Sequence, residues 1–389
     1  MVEKRLIKKS GEELSLLGFG LMRLPLKPGT KDIDKALALE MVDYAKNKGI
    51  NYFDTAYVYH EGNSELFAGE ALSRYDRNSY NLASKMPLMV VRSEADVERI
   101  FEEQLKKCRV EYFDYYLLHS MNVHHLKIAE DNKVYEQLKE KQRQGKIRRL
   151  GFSFHDAPEV LTQIVAKWDW DFAQIQLNYL DWEQQDAKGQ YKILNDKGIP
   201  VTVMEPVRGG SLASLGDEAD SIFKAADPKA SVSSWAIRFA ATLPGVQVVL
   251  SGMSNLDQMK DNISTMENFK PINEADQKVI DKAVLAFRTT GAVPCTGCRY
   301  CMECPQGVDI PRNLALYNAY LFNKERNRPN YQFGFMMEYN GMGKAKQAQN
   351  CVECKQCEEK CPQHIEISKQ MGLIQEVNKT VTASLPPRH

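Results

Sequence analysis

Residues 80–120 read YNLASKMPLMVVRSEADVERIFEEQLKKCRVEYFDYYLLHS. Two short apolar runs in this stretch, at 80–86 and 112–120, predict β-strands. The segment between them, residues 93–108, has apolar residues three and four positions apart, which predicts an amphipathic helix. A strand, a helix and a second strand in this order are typical of an α/β protein with a parallel sheet.

The same alternation continues on both sides of this stretch. Helical patterns occupy residues 36–49, 133–146 and 235–243. Six further apolar runs predict strands at 17–24, 50–56, 148–154, 172–180, 201–207 and 246–252. Eight strands that alternate with helices predict a (β/α)8 TIM barrel. An open doubly wound sheet is the alternative, but the G-x-G-x-x-G pattern of its nucleotide-binding members does not follow the first strand.

Eight of the nine cysteines lie in two runs after the predicted barrel. In each run three cysteines are separated by two residues and a fourth precedes a proline, which is the spacing that holds a cubane iron–sulfur cluster. In proteins with two such clusters, the fourth cysteine of each run binds the cluster of the other run. The first run is one residue short before its fourth cysteine. We therefore expect two [4Fe-4S] clusters with the ligands Cys295, Cys298, Cys301, Cys304, Cys351, Cys354, Cys357 and Cys361.

Zinc also accepts four thiolates, and it is the main alternative to iron–sulfur clusters. Zinc sites, however, usually combine one C-x2-C pair with a second pair some distance away. A disulfide framework fits less well, because nothing marks the chain as secreted. The ninth cysteine, Cys108, lies in a helical pattern and is interpreted as an ordinary buried or half-buried thiol.

The boundary between the barrel and the cysteine-rich part is predicted in residues 287–294, where a glycine and a proline interrupt a helical run. Between the cysteine runs, residues 313–322 and 343–350 predict helices, joined by a turn-rich segment at 327–334. This pattern favours a small, mainly α-helical ferredoxin-like domain. The predicted domains are a barrel at 1–290, a 4Fe-4S ferredoxin-type domain at 291–375 and a C-terminal tail at 376–389.

The charged residues balance, with 51 Lys and Arg against 51 Asp and Glu. This balance gives no net attraction to nucleic acid or to an anionic membrane surface. The N-terminal residues contain no apolar signal core, and no run reaches the length of a transmembrane helix. Reduced thiols and oxygen-sensitive clusters are typical of the cytoplasm, so we expect a cytoplasmic protein. We expect no nucleic-acid or membrane partner.

Polar side chains close the apolar runs at the predicted strand ends, which is where a TIM barrel carries its chemistry. A buried and hydrogen-bonded polar residue can be purely structural. Several ionisable types at successive strand ends favour an active site instead. These residues are Asp54, Lys85, His119, Ser153, Gln176 and Glu205.

Some of these segments resemble a known family. Asp54 and Tyr59 in FDTAYVYHEGNSE, Lys85 in LASKMP and His119 in YYLLHS are similar to the catalytic tetrad of the aldo-keto reductases. The resemblance covers residues 5–290, and the whole chain resembles a bacterial or archaeal branch whose barrel carries a C-terminal ferredoxin-type domain. It implies an NAD(P)H-dependent oxidoreductase that reduces a small aldehyde or ketone to an alcohol.

Such a reduction requires a hydride at the carbon and a proton at the oxygen of the carbonyl. The phenol of Tyr59 is the expected proton donor, but an unperturbed phenol has a pKa near 10 and holds its proton tightly. The ammonium of Lys85 would stabilise the phenolate, and Asp54 would keep that ammonium charged. A neutral His119 would donate a hydrogen bond to the carbonyl oxygen and orient it.

The resemblance also implies a nicotinamide cofactor, NADPH or NADH. Family members that use NADPH hold its 2′-phosphate with Lys and Arg after the eighth strand, where this chain has Gly252 and Gln258. A phosphate without a fixed cation loses its charge-assisted hydrogen bonds, so we expect the preference for NADPH to be weak or absent. Arg208 or Lys260 could supply the cation instead.

Within this site the resemblance implies that Ser153 and Gln176 bind the carboxamide of the nicotinamide and that Met204 packs on its ring. Gly20 and Met22 would approach the ribose. The full set of implied cofactor-binding residues is Gly20, Met22, Ser153, Gln176, Met204, Gly252, Ser254, Gln258 and Asn262.

The two predicted halves use different electron chemistry. Nicotinamides deliver two electrons as hydride, whereas a cubane cluster accepts one at a time, and a flavin can use both modes. Three functions are therefore open. The preferred one is a carbonyl reductase with structural or sensory clusters. In the second, a flavin or a redox partner protein couples the clusters to the barrel in an electron-transfer oxidoreductase. The third is a non-catalytic barrel with a regulatory or redox-sensing role, against which a complete tetrad argues.

Overall fold

A computed structural model describes residues 1–7, 9, 11–288, 291–325 and 330–384. The chain forms two compact units. The first comprises Met1–Arg208 and Asp227–Gln277, and the second comprises Gly209–Ala226 and Lys278–His389. The domain limits expected at residues 290 and 375 remain a prediction.

The first unit is built on a closed barrel. The strands are β1 (Lys4–Leu6), β2 (Glu13–Ser15), β3 (Leu17–Gly20), β4 (Tyr52–Asp54), β5 (Asn81–Met86), β6 (Phe113–Met121), β7 (Ile147–Phe154), β8 (Phe172–Gln176), β9 (Val201–Met204) and β10 (Val246–Ser251). Strands β3 to β10 are parallel neighbours in chain order, and β10 closes the ring by pairing with β3. The predicted (β/α)8 TIM barrel is confirmed, and each of the eight predicted strands overlaps one barrel strand.

Helices connect these strands and continue into the second unit. They are α1 (Lys35–Asn47), α2 (Asn63–Leu72), α3 (Glu94–Cys108), α4 (Val123–Asp131), α5 (Val134–Arg143), α6 (Pro158–Lys167), α7 (Asp181–Gln184), α8 (Ala187–Asp196), α9 (Asp217–Ala226), α10 (Val232–Thr242), α11 (Leu256–Glu267), α12 (Glu274–Arg288), α13 (Ile310–Glu325), α14 (Tyr331–Gly341), α15 (Gln356–Glu359) and α16 (Ile367–Ser384). Short 3-10 turns occupy Leu21–Arg23, Tyr59–Gly62, Arg77–Ser79, Leu88–Val90, Arg208–Ala213, Lys344–Lys346 and Ala348–Asn350.

Helix α3 shows how the sequence sets these elements. Ser93 and Asp96 form a capping box, in which each side chain accepts a hydrogen bond from the backbone of the other. The apolar stripe of the helix faces the barrel, where the ring of Phe101 lies edge-on to Tyr116 of β6 with 5.1 Å between the centroids. The helix therefore begins at a defined residue and buries the face that its periodicity predicts.

The amino-terminal end of the barrel is closed by the antiparallel hairpin of β1 and β2, which the sequence analysis did not predict. Ile7 and Leu14 from this hairpin pack with Tyr52, Tyr115 and Phe172, which begin or nearly begin their strands. The ring of Tyr115 makes a T-shaped contact with each of the other two, with centroids 5.1 Å from Tyr52 and 5.0 Å from Phe172. Apolar packing fills this end, so the polar strand ends lie at the opposite, carboxyl edge.

The second unit has its own core, formed by side chains of α13, α14 and α16 together with residues of the connecting segments, among them Val308. The helix predicted at 313–322 is confirmed, because α13 contains it. Residues 331–334 of the predicted turn-rich segment instead begin α14, which is anchored by the stacked, buried rings of Phe335 and Tyr339. Residues 327–329 of that segment lie outside the described residues.

The helix predicted at 343–350 is wrong, since the structure has two 3-10 turns there. This segment has no apolar stripe to bury, and its backbone binds α13 instead. The amide Nδ2 of Asn313 donates to the carbonyl of Lys346 (2.9 Å), and the N–H of Ala348 donates to Oδ1 of Asn313 (3.0 Å). These bonds replace those of a regular helix.

The C-terminal residues continue the fold of the second unit. The part assigned to a tail is helical as far as Ser384, because α16 carries Val381, which is buried in the core. Residues 385–389 lie outside the described residues. None of the described helices combines the length and the apolar composition that crossing a membrane requires.

Candidate active site

Five of the predicted site residues lie at the carboxyl ends of consecutive barrel strands. Asp54 and Gln176 are the last residues of β4 and β8, and Lys85, His119 and Ser153 lie within the last three residues of β5, β6 and β7. Each is no more than 5% exposed. Since the strands are parallel, these ends meet at one edge of the barrel, as the sequence predicted.

The centre of this edge is a buried ion pair. Nζ of Lys85 lies 2.5 Å from Oδ1 of Asp54 and 2.8 Å from the carbonyl oxygen of Thr55, to which it donates. The Lys85 side chain is fully buried and the Asp54 side chain is 2% exposed. A buried ammonium is stable only with such partners, so Asp54 and Thr55 hold it in place.

Tyr59 lies over this ammonium. It begins the 3-10 turn that follows β4, and Nζ of Lys85 is 4.9 Å from the centroid of its ring. The ring of His119 meets the Tyr59 ring at 83°, with 5.9 Å between centroids. The nearby Tyr57 is placed differently, because its hydroxyl donates to Oε2 of Glu103 (3.1 Å). The structure therefore brings Asp54, Tyr59, Lys85 and His119 together.

Burial shifts the pKa values of the three ionisable partners of Tyr59. Burial lowers the pKa of Lys85, and the carboxylate of Asp54 opposes this shift. Burial raises the pKa of Asp54, and the Lys85 ammonium opposes that shift in turn. The pKa of His119 falls well below its usual value, first through burial and then through the charge of Lys85. His119 is therefore a neutral imidazole at neutral pH, able to donate one hydrogen bond.

Glu65 forms a second buried polar group next to strand β5, which the strand-end pattern does not predict. Oε1 of Glu65 accepts from the hydroxyl of Ser84 (2.6 Å) and from Nε2 of Gln104 (2.5 Å), which also donates to the backbone carbonyl of Lys85 (3.0 Å). Glu65 is fully buried, and burial raises its pKa. The signal was present in the sequence, because Gln104 stands on the apolar stripe of α3 where a buried polar residue needs a partner.

The residues expected at the nicotinamide lie along the same edge. The hydroxyl of Ser153 accepts from the backbone N–H of Ser120 (2.7 Å). The register of the sheet places Gln176 directly beside Met204, whose sulfur accepts from Nε2 of Gln174 (3.5 Å). Gln176 and Met204 are thus neighbours at the ends of β8 and β9. Ser153 lies on the adjoining strand β7, where the register pairs it with Gln174.

The residues expected at the coenzyme phosphate follow β10. Ser254 donates its hydroxyl to the carbonyl of Arg23 (2.8 Å) and its backbone N–H to Oε1 of Gln258 (2.8 Å). Asn262 is buried and donates to the hydroxyl of Ser251 (3.0 Å), so it fixes the end of the strand. Two further members of the set, Gly20 and Met22, lie at the end of β3 and in the turn that follows it. Gly252 is the first residue after β10.

The two cations proposed from the sequence occupy different settings. Arg208 is 3% exposed, and its Nε lies 3.1 Å from Oδ1 of the buried Asp181. It is therefore held inside the protein. Lys260 is exposed on α11.

Several cysteines of the second unit raise one another's pKa values. Burial raises the pKa of Cys301 to about 12, and the thiols of Cys298, Cys295 and Cys361 add to the shift ahead of the thiol of Cys357.

The cysteines of the second run have raised pKa values as well. Burial raises the pKa of Cys357 to about 11, with further contributions from Glu358 and the thiols of Cys351 and Cys304. Burial also raises the pKa of Cys351, to which Cys304 and Cys354 contribute. The thiol of Cys361 thus contributes to the pKa shift of Cys301 in the first run, and the thiol of Cys304 contributes to those of Cys351 and Cys357 in the second.

These cysteine thiols have the chemistry of cluster ligands. Backbone N–H groups face the sulfurs, as in the hydrogen bond from Gly297 to Sγ of Cys295 (3.4 Å). Among the described residues, no three metal-binding side chains converge closely enough to hold a single ion. A tetranuclear cluster has no such requirement, because it is held by four thiolates spread around four irons.

Fold and site together define a TIM-barrel enzyme with a second, cysteine-rich unit. Residues 16–284 match the profile of the aldo/keto reductase family, and residues 294–366 match that of a 4Fe-4S dicluster domain. The chain therefore belongs to the aldo/keto reductase family. It is an NAD(P)H-dependent oxidoreductase whose C-terminal part is a 4Fe-4S domain.

Individual relatives agree with this class. The chain is 25% identical over 314 residues to an uncharacterized oxidoreductase of Bacillus subtilis (strain 168), which covers 72% of this chain and 95% of the relative. It is 23% identical over 299 residues to the NADH-specific methylglyoxal reductase of Escherichia coli (strain K12), covering 65% of this chain and 90% of the relative. The holo structure of an aldo-keto reductase from Bacillus halodurans matches with a TM-score of 0.61 and 24% sequence identity. The match covers 73% of this chain and 96% of that protein, and it shows a shared fold.

Proposed function

We propose that the protein reduces a small aldehyde or ketone to an alcohol, with Tyr59 as the general acid. One observation carries this proposal. Nζ of Lys85 lies 2.5 Å from the carboxylate of Asp54 and 4.9 Å from the centroid of the Tyr59 ring. An ammonium in this position stabilises the phenolate that remains after Tyr59 gives up its proton.

A nicotinamide coenzyme fits the polar groups at the carboxyl edge. Ser153 and Gln176 offer a hydroxyl and an amide to its carboxamide, and Met204 beside Gln176 offers a polarizable surface to its ring. When bound, the reduced coenzyme supplies the hydride for the carbonyl carbon. The chain itself holds the carbonyl oxygen and delivers the proton.

His119 and Tyr59 have different roles at the carbonyl oxygen: His119 donates a hydrogen bond, and Tyr59 delivers the proton. His119 is neutral because burial and Lys85 lower its pKa, so it donates a hydrogen bond without competing as an acid. Tyr59 is 8% exposed, which leaves its site largely shielded from water. Proton transfer from a positioned acid of this kind contributes about 10²- to 10⁴-fold to a rate.

We further propose that NADH serves at least as well as NADPH. Gln258, which stands where family members place a cation, uses its side chain to accept from Ser254. Arg208 is buried against Asp181 and is not at the surface. The relative from Escherichia coli named above is NADH-specific, which supports the same preference.

For the second unit we propose two [4Fe-4S] clusters with crossed ligands. Cys295, Cys298, Cys301 and Cys361 would hold one cluster, in accord with the neighbours of Cys301. The other cluster would be held by Cys304, Cys351, Cys354 and Cys357, in accord with the neighbours of Cys351 and Cys357. The clusters supply one-electron chemistry when bound.

The exposure of Cys354 favours a second function beside the first. Cys354 is the exposed member of its proposed ligand set, whereas Cys301 and Cys361 of the other set are buried. A redox partner protein could therefore exchange electrons with the clusters at this surface. Flavin in the purified protein, or bleaching of the cluster absorption by NADH, would support this function.

The test of the reductase is made on protein purified without oxygen. Methylglyoxal and simple aldehydes are supplied with NADH or NADPH, and oxidation of the coenzyme is followed by its absorbance. Tyr59→Phe should lower kcat about 100-fold or more while coenzyme binding is retained. Tyr57→Phe is the matched control and should keep its activity. Equal turnover by Tyr59→Phe and the unmodified protein would remove Tyr59 as the acid.

A further inference from the structure

A buried carboxylate lies next to Gln176 and takes no part in the tetrad. Asp181, the first residue of α7, is fully buried. Its Oδ2 accepts from Nε2 of Gln176 (2.7 Å) and from Nδ2 of Asn178 (2.6 Å). Its Oδ1 lies 3.1 Å from Nε of Arg208, whose charge balances it inside the protein.

The carboxylate of Asp181 fixes the orientation of the Gln176 amide. A carboxylate can only accept hydrogen bonds, whereas the end of a glutamine side chain has one accepting oxygen and one donating NH2 group. With Asp181 on one side, the NH2 group of Gln176 must face Asp181. The amide oxygen of Gln176 then lies on the side away from Asp181.

Asp181 is itself fixed by its surroundings. Asn178 donates to Asp181 and to the carbonyl oxygen of Glu205 (3.1 Å), while its own Oδ1 accepts from the backbone N–H groups of Leu180 and Asp181 (3.0 Å and 2.8 Å). Each of these bonds has a single possible direction. The orientation at Gln176 is therefore set by the backbone of the β8–α7 turn and by the end of β9.

We propose that Asp181 is a positioning residue that makes Gln176 present its amide oxygen, and hence an acceptor, to the coenzyme. The partner on the coenzyme is the NH2 group of the nicotinamide carboxamide. This inference rests on the proposed function, in which Gln176 binds that carboxamide. It makes the site selective for a carboxamide over a group of similar shape without N–H, such as an acetyl group.

The experiment compares two reduced coenzymes that differ in this group alone, NADH and reduced 3-acetylpyridine adenine dinucleotide. Their binding is measured by quenching of tryptophan fluorescence, since all four tryptophans lie in the first unit. The unmodified protein should bind NADH about tenfold more tightly than the acetyl analogue, because the analogue lacks the N–H group that donates to the amide oxygen of Gln176. In Asp181→Asn the Gln176 amide can turn over, so the ratio of the two dissociation constants should fall toward one.

Controls separate this role from a general loss of structure. A merely structural loss weakens both coenzymes equally and leaves the ratio unchanged. Asp261→Asn is the matched control, since Asp261 accepts from the side chains of Ser231 and Ser233 away from strand β8. Asp181→Ser is made alongside, because a hydroxyl can also donate to a turned amide if Asp181→Asn does not fold.

The outcomes are distinct. An unmodified protein that binds NADH and the analogue equally, or a folded Asp181 variant that keeps the original ratio, overturns the inference and leaves the reductase untouched. A protein that binds neither coenzyme overturns the proposed function and this inference together. A ratio that falls in the Asp181 variants and not in Asp261→Asn supports the positioning role.

Discussion

Nζ of Lys85 and Oδ1 of Asp54 lie 2.5 Å apart, and at most 2% of either side chain is exposed. In such a setting the two charges depend on each other. Burial alone disfavours both ionised forms, and each partner restores the charge of the other. In the proposed mechanism, the help that Lys85 gives to Tyr59 therefore depends on Asp54, which has no need to touch a substrate.

Replacing Asp54 by Asn should lower the pKa of Lys85, because it removes the main influence that opposes burial. An opposite charge at this range shifts a pKa by about 1 to 3 units. The loss of carbonyl reduction at high pH should therefore begin about 1 to 3 units lower in Asp54→Asn than in the unmodified protein. The measurement is kcat as a function of pH with saturating coenzyme and aldehyde.

Asp171→Asn is the control for this prediction. Asp171 lies at the amino end of β8, where it accepts from Gln142 (2.6 Å) and from the backbone of Leu150 (2.9 Å). Its substitution should leave the pH profile in place. An Asp54→Asn profile that coincides with that of the unmodified protein would show that Asp54 does not hold the charge of Lys85.

His119 should make the barrel sensitive to acid. Its pKa is lowered in the folded protein, by burial first and by Lys85 second, while the unfolded chain has the ordinary value near 6.5. Below that pH the unfolded chain binds a proton that the folded protein excludes, so stability falls as the pH falls. His119→Gln should remove about 2 kcal/mol of the loss in unfolding free energy between pH 7 and pH 5.

Denaturant unfolding followed by tryptophan fluorescence measures this difference in the barrel. His124→Gln is the matched control, since His124 is solvent-exposed on α4. It should reproduce the acid sensitivity of the unmodified protein. An equally acid-sensitive His119→Gln variant would argue against a buried, neutral imidazole at this position.

Local sequence patterns were sufficient for the barrel. The eight strands carry β-branched and aromatic runs, and their helices carry apolar stripes such as that of α3, so period and order predicted the fold. The hairpin of β1 and β2 was missed because three-residue strands give almost no periodic signal. In the second unit, local propensity predicts a helix at 343–350, but the hydrogen bonds between this segment and Asn313 of α13 favour two 3-10 turns.

The candidate site also contains residues that the sequence predicts and residues that it does not. Asp54, Lys85 and His119 could be predicted because each ends a strand, and the parallel barrel then brings them together. The partners that orient these residues could not be predicted so readily. Asp181 and Glu65 lie on helices, and only three-dimensional packing shows which strand end each one meets.

An added cation at Gln258 should change the coenzyme preference. Gln258 is exposed in the first turn of α11, and its side chain accepts from the backbone of Ser254. In Gln258→Arg a guanidinium can bind a 2′-phosphate through charge-assisted hydrogen bonds, each worth about 1.5–3 kcal/mol. The KM for NADPH should fall about tenfold or more, and the KM for NADH should change little.

Gln258→Leu is the control, because it removes the contact with Ser254 without adding a cation. This variant should not favour NADPH. Steady-state kinetics with both coenzymes and one aldehyde give the comparison. A strong preference of the unmodified protein for NADPH would refute the expectation drawn from this position, and Lys260 on the same helix would then be the cation to test.

The crossed ligand sets can be tested with pairs of cysteine substitutions and an iron assay. Two cubane clusters correspond to about eight irons per chain, and Cys108→Ala, outside both runs, should retain them. If Cys361 and Cys301 bind the same cluster, as proposed above, replacing both by Ala damages one cluster and leaves about four irons. Replacing Cys361 and Cys357 then damages both clusters and leaves few irons. Uncrossed ligands reverse these two results, because Cys361 and Cys357 would share a cluster and Cys301 would belong to the other.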